Sequence, residues 1–342
     1  MPFMNFIEIG LVVILLIVFC GPFLNHAIEK NLEIFLFVMG ILALTLSGLW
    51  SGHVLHEALI HPLPISVVVL IAGFLFKFTR KYLDQSVKYI FKFIPQSLFL
   101  FFLIVTLGLL SSVITAIIAA LILVEFIVIL DLNRKTEINI TILACFSIGL
   151  GAALTPVGEP LSTIVVAKLN ENFWFLFKNF YALIIPAVLF LGVLAPWFQG
   201  RKSVKDDSSR LKQDSNFDVF LRAGKVYLFV MALIFLGTGF KPLIDAYVVK
   251  LSSGILFWIN ITSAILDNAT LAAAEVSPTL SLIQLKSILM ALLISGGMLI
   301  PGNIPNIIAA NKLKITSREW AQLGIPLGLV MMIVYFLILE VF

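Results

Sequence analysis

Residues 255–274 read Ile255-Leu256-Phe257-Trp258-Ile259-Asn260-Ile261-Thr262-Ser263-Ala264-Ile265-Leu266-Asp267-Asn268-Ala269-Thr270-Leu271-Ala272-Ala273-Ala274. The run has the length and apolarity of a membrane-spanning segment, about 20 residues. Yet it carries an acid and an amide past its middle. An ionised carboxylate at bilayer depth costs at least roughly 2.5–3.5 kcal/mol on insertion scales, so its default reading is part of an ion, proton or substrate path.

The rest of the chain has the same character. Of 342 residues, 61% are hydrophobic and 12% charged, with a mean hydropathy of +1.10, whereas a soluble domain carries about 25% charged residues. Apolar runs recur at 6–22, 34–49, 64–76, 98–130, 138–153, 173–197, 226–240, 288–300 and 321–342. An all-α polytopic membrane protein follows, with about eight full spans plus two hairpins. The first run has no basic residue before it and contains Glu8, so it reads as a retained helix rather than a cleaved signal. Cys20 and Cys145 sit in separate apolar runs as packing residues, and no disulfide or thiolate site is expected. The basic residues report orientation, not nucleic-acid binding.

One linker, 199–222, mixes lysine, arginine and aspartate without an apolar run and divides the chain. Two scaffold helices are expected over 1–61, a first repeat over 62–198 and a second over 223–342. Each repeat reads as a span, an amphipathic connector (80–93 or 241–251), a hairpin (95–131 or 251–278), a broken helix (138–169 or 284–312) and a closing span. Ser111 to Ala116 align with Ser263 to Asn268 at an offset of 263 − 111 = 152. Pro156 and Pro160 align with Pro301 and Pro305 at 301 − 156 = 145, which sets Glu159 against Ile304. Hairpins that re-enter the membrane, with tips at Ser111–Thr115 and Ser263–Asn268, invert the second repeat. On that topology only Lys168, Lys178, Lys241, Lys250 and Lys286 fall opposite the other assigned lysines and arginines, as the positive-inside rule asks, with both termini outside.

The breaks are local chemistry. Pro156, Gly158 and Pro160 in one span, and Pro301, Gly302 and Pro305 in the other, remove backbone donors and admit torsions that a helix does not. Unwound backbone at membrane depth is tolerated where it is buried in protein or lines a cavity. Paired breaks in corresponding positions point to a transporter's midplane site. The expected site comprises Asp267, Asn268, Glu159, Thr155, Ser112, Thr115, Ser162, Asn303 and Asn306, with Asp267 and Glu159 as ligands to Na+. Two buried carboxylates suit a hard cation. Burial and like charge also favour the protonated form of a carboxyl group, so cation and proton would compete. Plainer roles exist for the same residues: Glu159 as a helix cap, Asp267 as a turn residue. Glu125 and Glu275 are placed at the membrane interface, and Lys168 as a lysine reaching the outer surface. His53, His56 and His61 are assigned to an external loop, because His56 and His61 are five apart and a zinc-protease helix needs four.

Leu266-Asp267-Asn268-Ala269-Thr270-Leu271-Ala272-Ala273-Ala274 and Thr155-Pro156-Val157-Gly158-Glu159-Pro160 resemble the ion-transporter superfamily. That superfamily includes NhaD-type sodium/proton antiporters, arsenite permeases and divalent-anion symporters. In its compactness the chain looks like the group named for cation transport. The resemblance covers about residues 60–342. It implies inverted repeats, a homodimer in a prokaryotic inner membrane, an elevator-like motion, and no cofactor beyond transported Na+ and H+. Tip 1 lacks the acid or asparagine of antiporter relatives, and neither tip has the Ser-Asn-Thr of dicarboxylate symporters. The expectation is a Na+/H+ antiporter, with a sodium-coupled symporter of an anion or small organic solute as the alternative. No Gly-x-Gly-Asp or Gly-x-Ser-x-Gly motif suggests an enzyme.

Overall fold

The computed structural model describes residues 5–25, 27–28, 31–90, 94–198, 216–248, 252–266 and 268–341. Asp267, Lys30, Lys250 and linker residues 199–215 therefore lie outside the described residues. Within them every regular element is helical. Three helices open the chain: α1 (Phe6–Leu24), α2 (Leu32–Ser47) and α3 (Gly52–Ile60). The first half continues with α4 (Pro62–Ile90), α5 (Gln96–Ile114), α6 (Ala116–Leu130), α7 (Arg134–Ala152), α8 (Pro160–Leu169) and α9 (Phe175–Phe198). The second half contains α10 (Asn216–Leu243) with a π-helical extension Ile244–Val248, then α11 (Ser253–Ile259) running into a 3-10 turn Asn260–Ala264. It ends with α12 (Asn268–Glu275), α13 (Leu282–Gly296), a 3-10 turn Ile300–Gly302, α14 (Ile304–Leu313) and α15 (Ser317–Val341).

Among the described residues six segments are long and apolar enough to cross a membrane: Phe6–Leu24, Gly52–Leu75, Gln96–Ile114, Phe175–Phe198, Asn216–Tyr247 and Ser317–Leu339. The halves of the broken helices are shorter. At 1.5 Å per residue, the 10 residues of α8 reach about 15 Å, half of a hydrocarbon core of ~30 Å. Helix faces turned outward are apolar: Val330, Ile333, Val334 and Leu337 on α15, and Val13, Leu16 and Ile17 on α1, are exposed. Buried polar groups gather inside instead, with Ser111, Ser147, Asn260, Ser295 and Asn306 all at 0% exposure. Such a distribution inverts that of a water-soluble protein.

In the first half, α5, α7 and α9 pack together as a bundle, while α2 lies along α10 in the most extensive helix pair. Contacts between the halves are reciprocal. The second-half helix α14 packs on α6, and the second-half helix α12 packs on the first-half helix α8.

The two halves also repeat individual contacts. Ser111 Oγ donates to Ile148 O at 2.9 Å and Ser263 Oγ to Leu292 O at 3.3 Å; the hairpin residues are 263 − 111 = 152 apart and their acceptors 292 − 148 = 144 apart. Gly108 O presses on Gly151, where a Cβ would lie 1.8 Å away, and Asn260 O accepts from Ser295 Oγ at 2.6 Å. Those pairs obey the same offsets, 260 − 108 = 152 and 295 − 151 = 144. Helices α8 and α14 both end in a left-handed residue at φ 52°, Asn170 and Lys314.

Several expectations change. The N-caps of α8 and α14 are Glu159 and Asn303, 303 − 159 = 144 apart, so the residue of α14 in the cap position of Glu159 is Asn303 and not Ile304. Proline misled the alignment because Pro160 is the first residue of α8 and Pro305 the second of α14, and both positions leave the N–H without an intrahelical partner. His53 and His56 lie on α3 rather than in a loop; Ser51 caps that helix by accepting from Val54 N, and His61 closes it. The connector at 80–93 is absorbed as far as Ile90 into the continuous helix α4, and that at 241–251 continues α10 as far as Val248. Glu125 and Glu275 are buried within the protein, at 7% and 6% exposure.

Candidate functional site

Tip 1 is a sharp reversal of backbone torsion at Thr115, whose φ of 76° and ψ of 150° are outside the usual range for a β-branched residue. Residues held in such conformations cluster at functional sites. Thr115 Oγ1 caps α6 by accepting from Ile118 N at 3.4 Å. The next residue, Ala116, donates its N–H to Gly158 O at 2.9 Å, which joins tip 1 to break 1. A second tie runs back from break 1, where Thr155 Oγ1 donates to Ser112 O.

Break 1 occupies the turn between Ala152 and Pro160. Glu159 is its last residue, extended at φ −156° and ψ 161°, and stands at the N-cap of α8 with 6% exposure. The partial positive charge of a helix N-terminus favours a carboxylate there. One turn into α8, Ser162 is fully buried and its Oγ has no hydrogen-bond partner among the described residues.

Break 2 is stapled from within. Asn306 Nδ2 donates to Gly296 O and to Leu299 O, each at 2.9 Å, while Asn306 Oδ1 is left without a partner among the described residues. Trp320, fully buried on α15, donates its indole N–H to Gly297 O at 3.1 Å. Asn303 is extended at φ −154° and caps the start of α14 as Glu159 does that of α8. It leans on the first half: a Cβ on Gly149 would sit 2.6 Å from Asn303 Nδ2. Tip 2 meets the same break, since Gly302 leaves no room for a Cβ beside Ser263 O at 2.8 Å. Asn268, 5% exposed, comes within 3.7 Å of a Cβ position on Gly296, and its Nδ2 lacks a partner among the described residues.

These contacts place Thr155, Ser112 and Thr115 around break 1, and Asn268, Asn303 and Asn306 around break 2. Lys168, near the end of α8, donates from Nζ to Ala273 O and to Val276 O at the end of α12. The C-terminal ends of α8 and α12 are thereby tied together. Lys312, near the end of α14, pairs with Glu125 Oε1 on α6 at 3.5 Å. The α6, α8 and α14 N-termini are headed by Thr115, Glu159 and Asn303; Asp267, outside the described residues, precedes α12 in sequence. Lys168, expected to reach outward, is exposed but grips α12 with its ammonium.

Sequence reasoning passed over two features. Asn260 Nδ2 donates to Glu275 Oε2 at 2.8 Å across the two arms of the second hairpin. Its signal was an amide seven residues ahead of Asp267 in an otherwise apolar run. Arg134, read only as a marker of sidedness, donates to Leu313 O and Lys314 O at 2.8 Å each and pairs with Glu319 at 2.9 Å, so it fastens the end of α14 to α7. Among the described residues no group of three or more His, Cys, Asp or Glu side chains is arranged to hold a metal ion, the α3 histidines included.

Residues 8–342 match the family described as Protein of unknown function (DUF1646), and the chain belongs to that family. Among curated proteins, none matches this sequence.

Proposed function

We propose that the protein is a secondary active transporter of a prokaryotic inner membrane that exchanges Na+ or another monovalent cation for H+. The observation that carries this reading is the set of buried polar atoms at the breaks, where Ser162 Oγ and Asn306 Oδ1 have no partner among the described residues and Glu159 is buried at the head of α8. A buried polar group left unmade costs about 1–3 kcal/mol, so several at one locus argue for a visiting ligand. Hydroxyl, amide and carboxylate oxygens are the donor set that a hard cation selects.

Matched helix breaks are the arrangement in which transporters bind at the midplane. The constant offsets of 152 and 144 support an internal duplication, and three crossings between equivalent points would invert it. On this reading α5–α6 and α11–α12 are re-entrant hairpins, both termini face outward, and the polar centre moves elevator-fashion against α2, α4 and α10, in a homodimer. Glu159 and Asp267 contribute the negative charge, Thr155, Ser112, Thr115, Ser162, Asn303 and Asn306 neutral oxygens.

One observation favours the alternative, a sodium-coupled symporter of an anion or small organic solute. Asn268 Nδ2 is a donor without a partner among the described residues, and helix N-termini attract anions. A pH-sensitive dye in proteoliposomes separates the two. Antiport gives a pH change on adding Na+, Li+, K+ or Ca2+ singly, without organic solute, and Glu159→Gln removes it. Silence with every cation would reject antiport.

A further inference from the structure

The hydrogen bond between Asn260 and Glu275 joins the arms of the second hairpin on either side of Asp267, and it is half made. Asn260 Nδ2 donates to Glu275 Oε2 at 2.8 Å. The other two oxygens of the pair, Asn260 Oδ1 and Glu275 Oε1, are both buried and both without a partner among the described residues. The side chains are closed off, at 0% and 6% exposure. An ionised carboxylate and an amide oxygen are both acceptors, so neither can satisfy the other. One proton can. A carboxylic acid and a primary amide are complementary, with the amide N–H donating to one acid oxygen and the acid O–H donating to the amide oxygen.

We infer that Glu275 and Asn260 form a proton site that latches the hairpin bearing Asp267. With the proton on Glu275 Oε1, its O–H donates to Asn260 Oδ1 and both orphaned oxygens are satisfied. When that proton leaves to water, two acceptors face each other inside the hairpin and the arms are driven apart. Among the described residues no cationic side chain bonds to the pair in place of the proton. Of the titratable groups on elements packed against α12, Lys168 of α8 spends its ammonium on the carbonyls of Ala273 and Val276. Lys241 of α10 pairs with Asp245 of its extension at 2.7 Å. Tyr247 donates to Glu8 at 2.9 Å. Lys286, on α13, makes no hydrogen bond or ion pair with Asn260 or Glu275 among the described residues. Neither residue is among the ligands proposed for the cation, so the pair gives proton exchange a residue other than those.

The link to cation exchange rests on the reading above; the proton site does not. Infrared spectroscopy of the purified protein in Na+-free neutral buffer tests it, comparing wild type with Glu275→Gln. Glutamine keeps both bonds, its amide donating to Asn260 Oδ1, so the variant is expected to fold. A protonated-carboxyl band present in wild type and lost in Glu275→Gln is the expected result. Identical spectra, or a carboxylate band of Glu275 that moves only when Na+ is added, would overturn the proposal, the latter making the pair a cation site. A weakly buffered dye assay then counts protons released on cation addition, with a smaller release from Glu275→Gln expected. If the carboxyl band is present but no cation releases protons from wild type, the proton site stands and the antiport reading falls.

Discussion

Replacing Lys312 with methionine removes one member of an ion pair that joins the two halves. Its ammonium lies 3.5 Å from Glu125 Oε1, and the two side chains are only 11% and 10% exposed. At that separation and an effective dielectric constant of about 20, attraction amounts to about 5 kcal/mol (332/(20 × 3.5)), offset by the desolvation of both charges. Removing Lys312 leaves the Glu125 carboxylate buried without this partner, so Lys312→Met is expected to cost about 3–5 kcal/mol. Removing both restores an apolar contact and should recover most of that loss. The assay is a double-mutant cycle on reversible unfolding of the purified protein in detergent. Coupling below about 0.5 kcal/mol, with the single losses simply adding, would refute the claim that the pair is a buried link between α6 and α14. The corresponding Lys168→Met acts on an exposed lysine bound to carbonyls and should cost on the order of 1 kcal/mol.

Further outcomes follow from close packing. Gly151→Ala places a methyl 1.8 Å from Gly108 O and should destabilise by about 1–3 kcal/mol or more, whereas Gly224→Ala, with nothing within 4 Å on exposed α10 surface, should stabilise by about 0.5–1 kcal/mol; thermal shifts of equal sign would contradict the packing. Trp320→Phe leaves the buried Gly297 O unpaired and should cost about 1–3 kcal/mol, which a melting temperature equal to wild type would disprove. Cys145 is fully buried and Cys20 exposed, so a small maleimide applied to the folded protein in detergent should modify Cys20 alone; labelling of Cys145 before unfolding would show that α7 is not enclosed.

The legible part of the site was the part written in backbone chemistry. Pro156, Gly158 and Pro160 interrupt a helix wherever they stand, and so do Pro301, Gly302 and Pro305, so the breaks between α7 and α8 and between α13 and α14 appear where the residues foretell them. Ser111 and Ser263 stand out in their apolar runs, and each donates to a carbonyl of the helix that leads into a break. Partnerships were not legible. Nothing in the order of residues tells Glu125 that it meets Lys312, or Glu275 that it meets Asn260, since both carboxylates stand in runs apolar on all sides.

Composition by itself determined that the chain is helical, apolar on its outside and interrupted at matched places, because a bilayer requires every spanning backbone group to be satisfied within its own segment. Only the tertiary structure decided which polar residues meet, as Thr155 meets Ser112 and Lys312 meets Glu125, that Glu159 and Asn303 hold the N-caps of α8 and α14, and that Glu125 and Glu275 are buried. The physical reason is that a membrane helix lacks the polar face by which a soluble helix declares its orientation. Which way each acid points is settled by the neighbour it packs against: Glu125 finds Lys312 in the other half, and Glu275 finds Asn260 in its own.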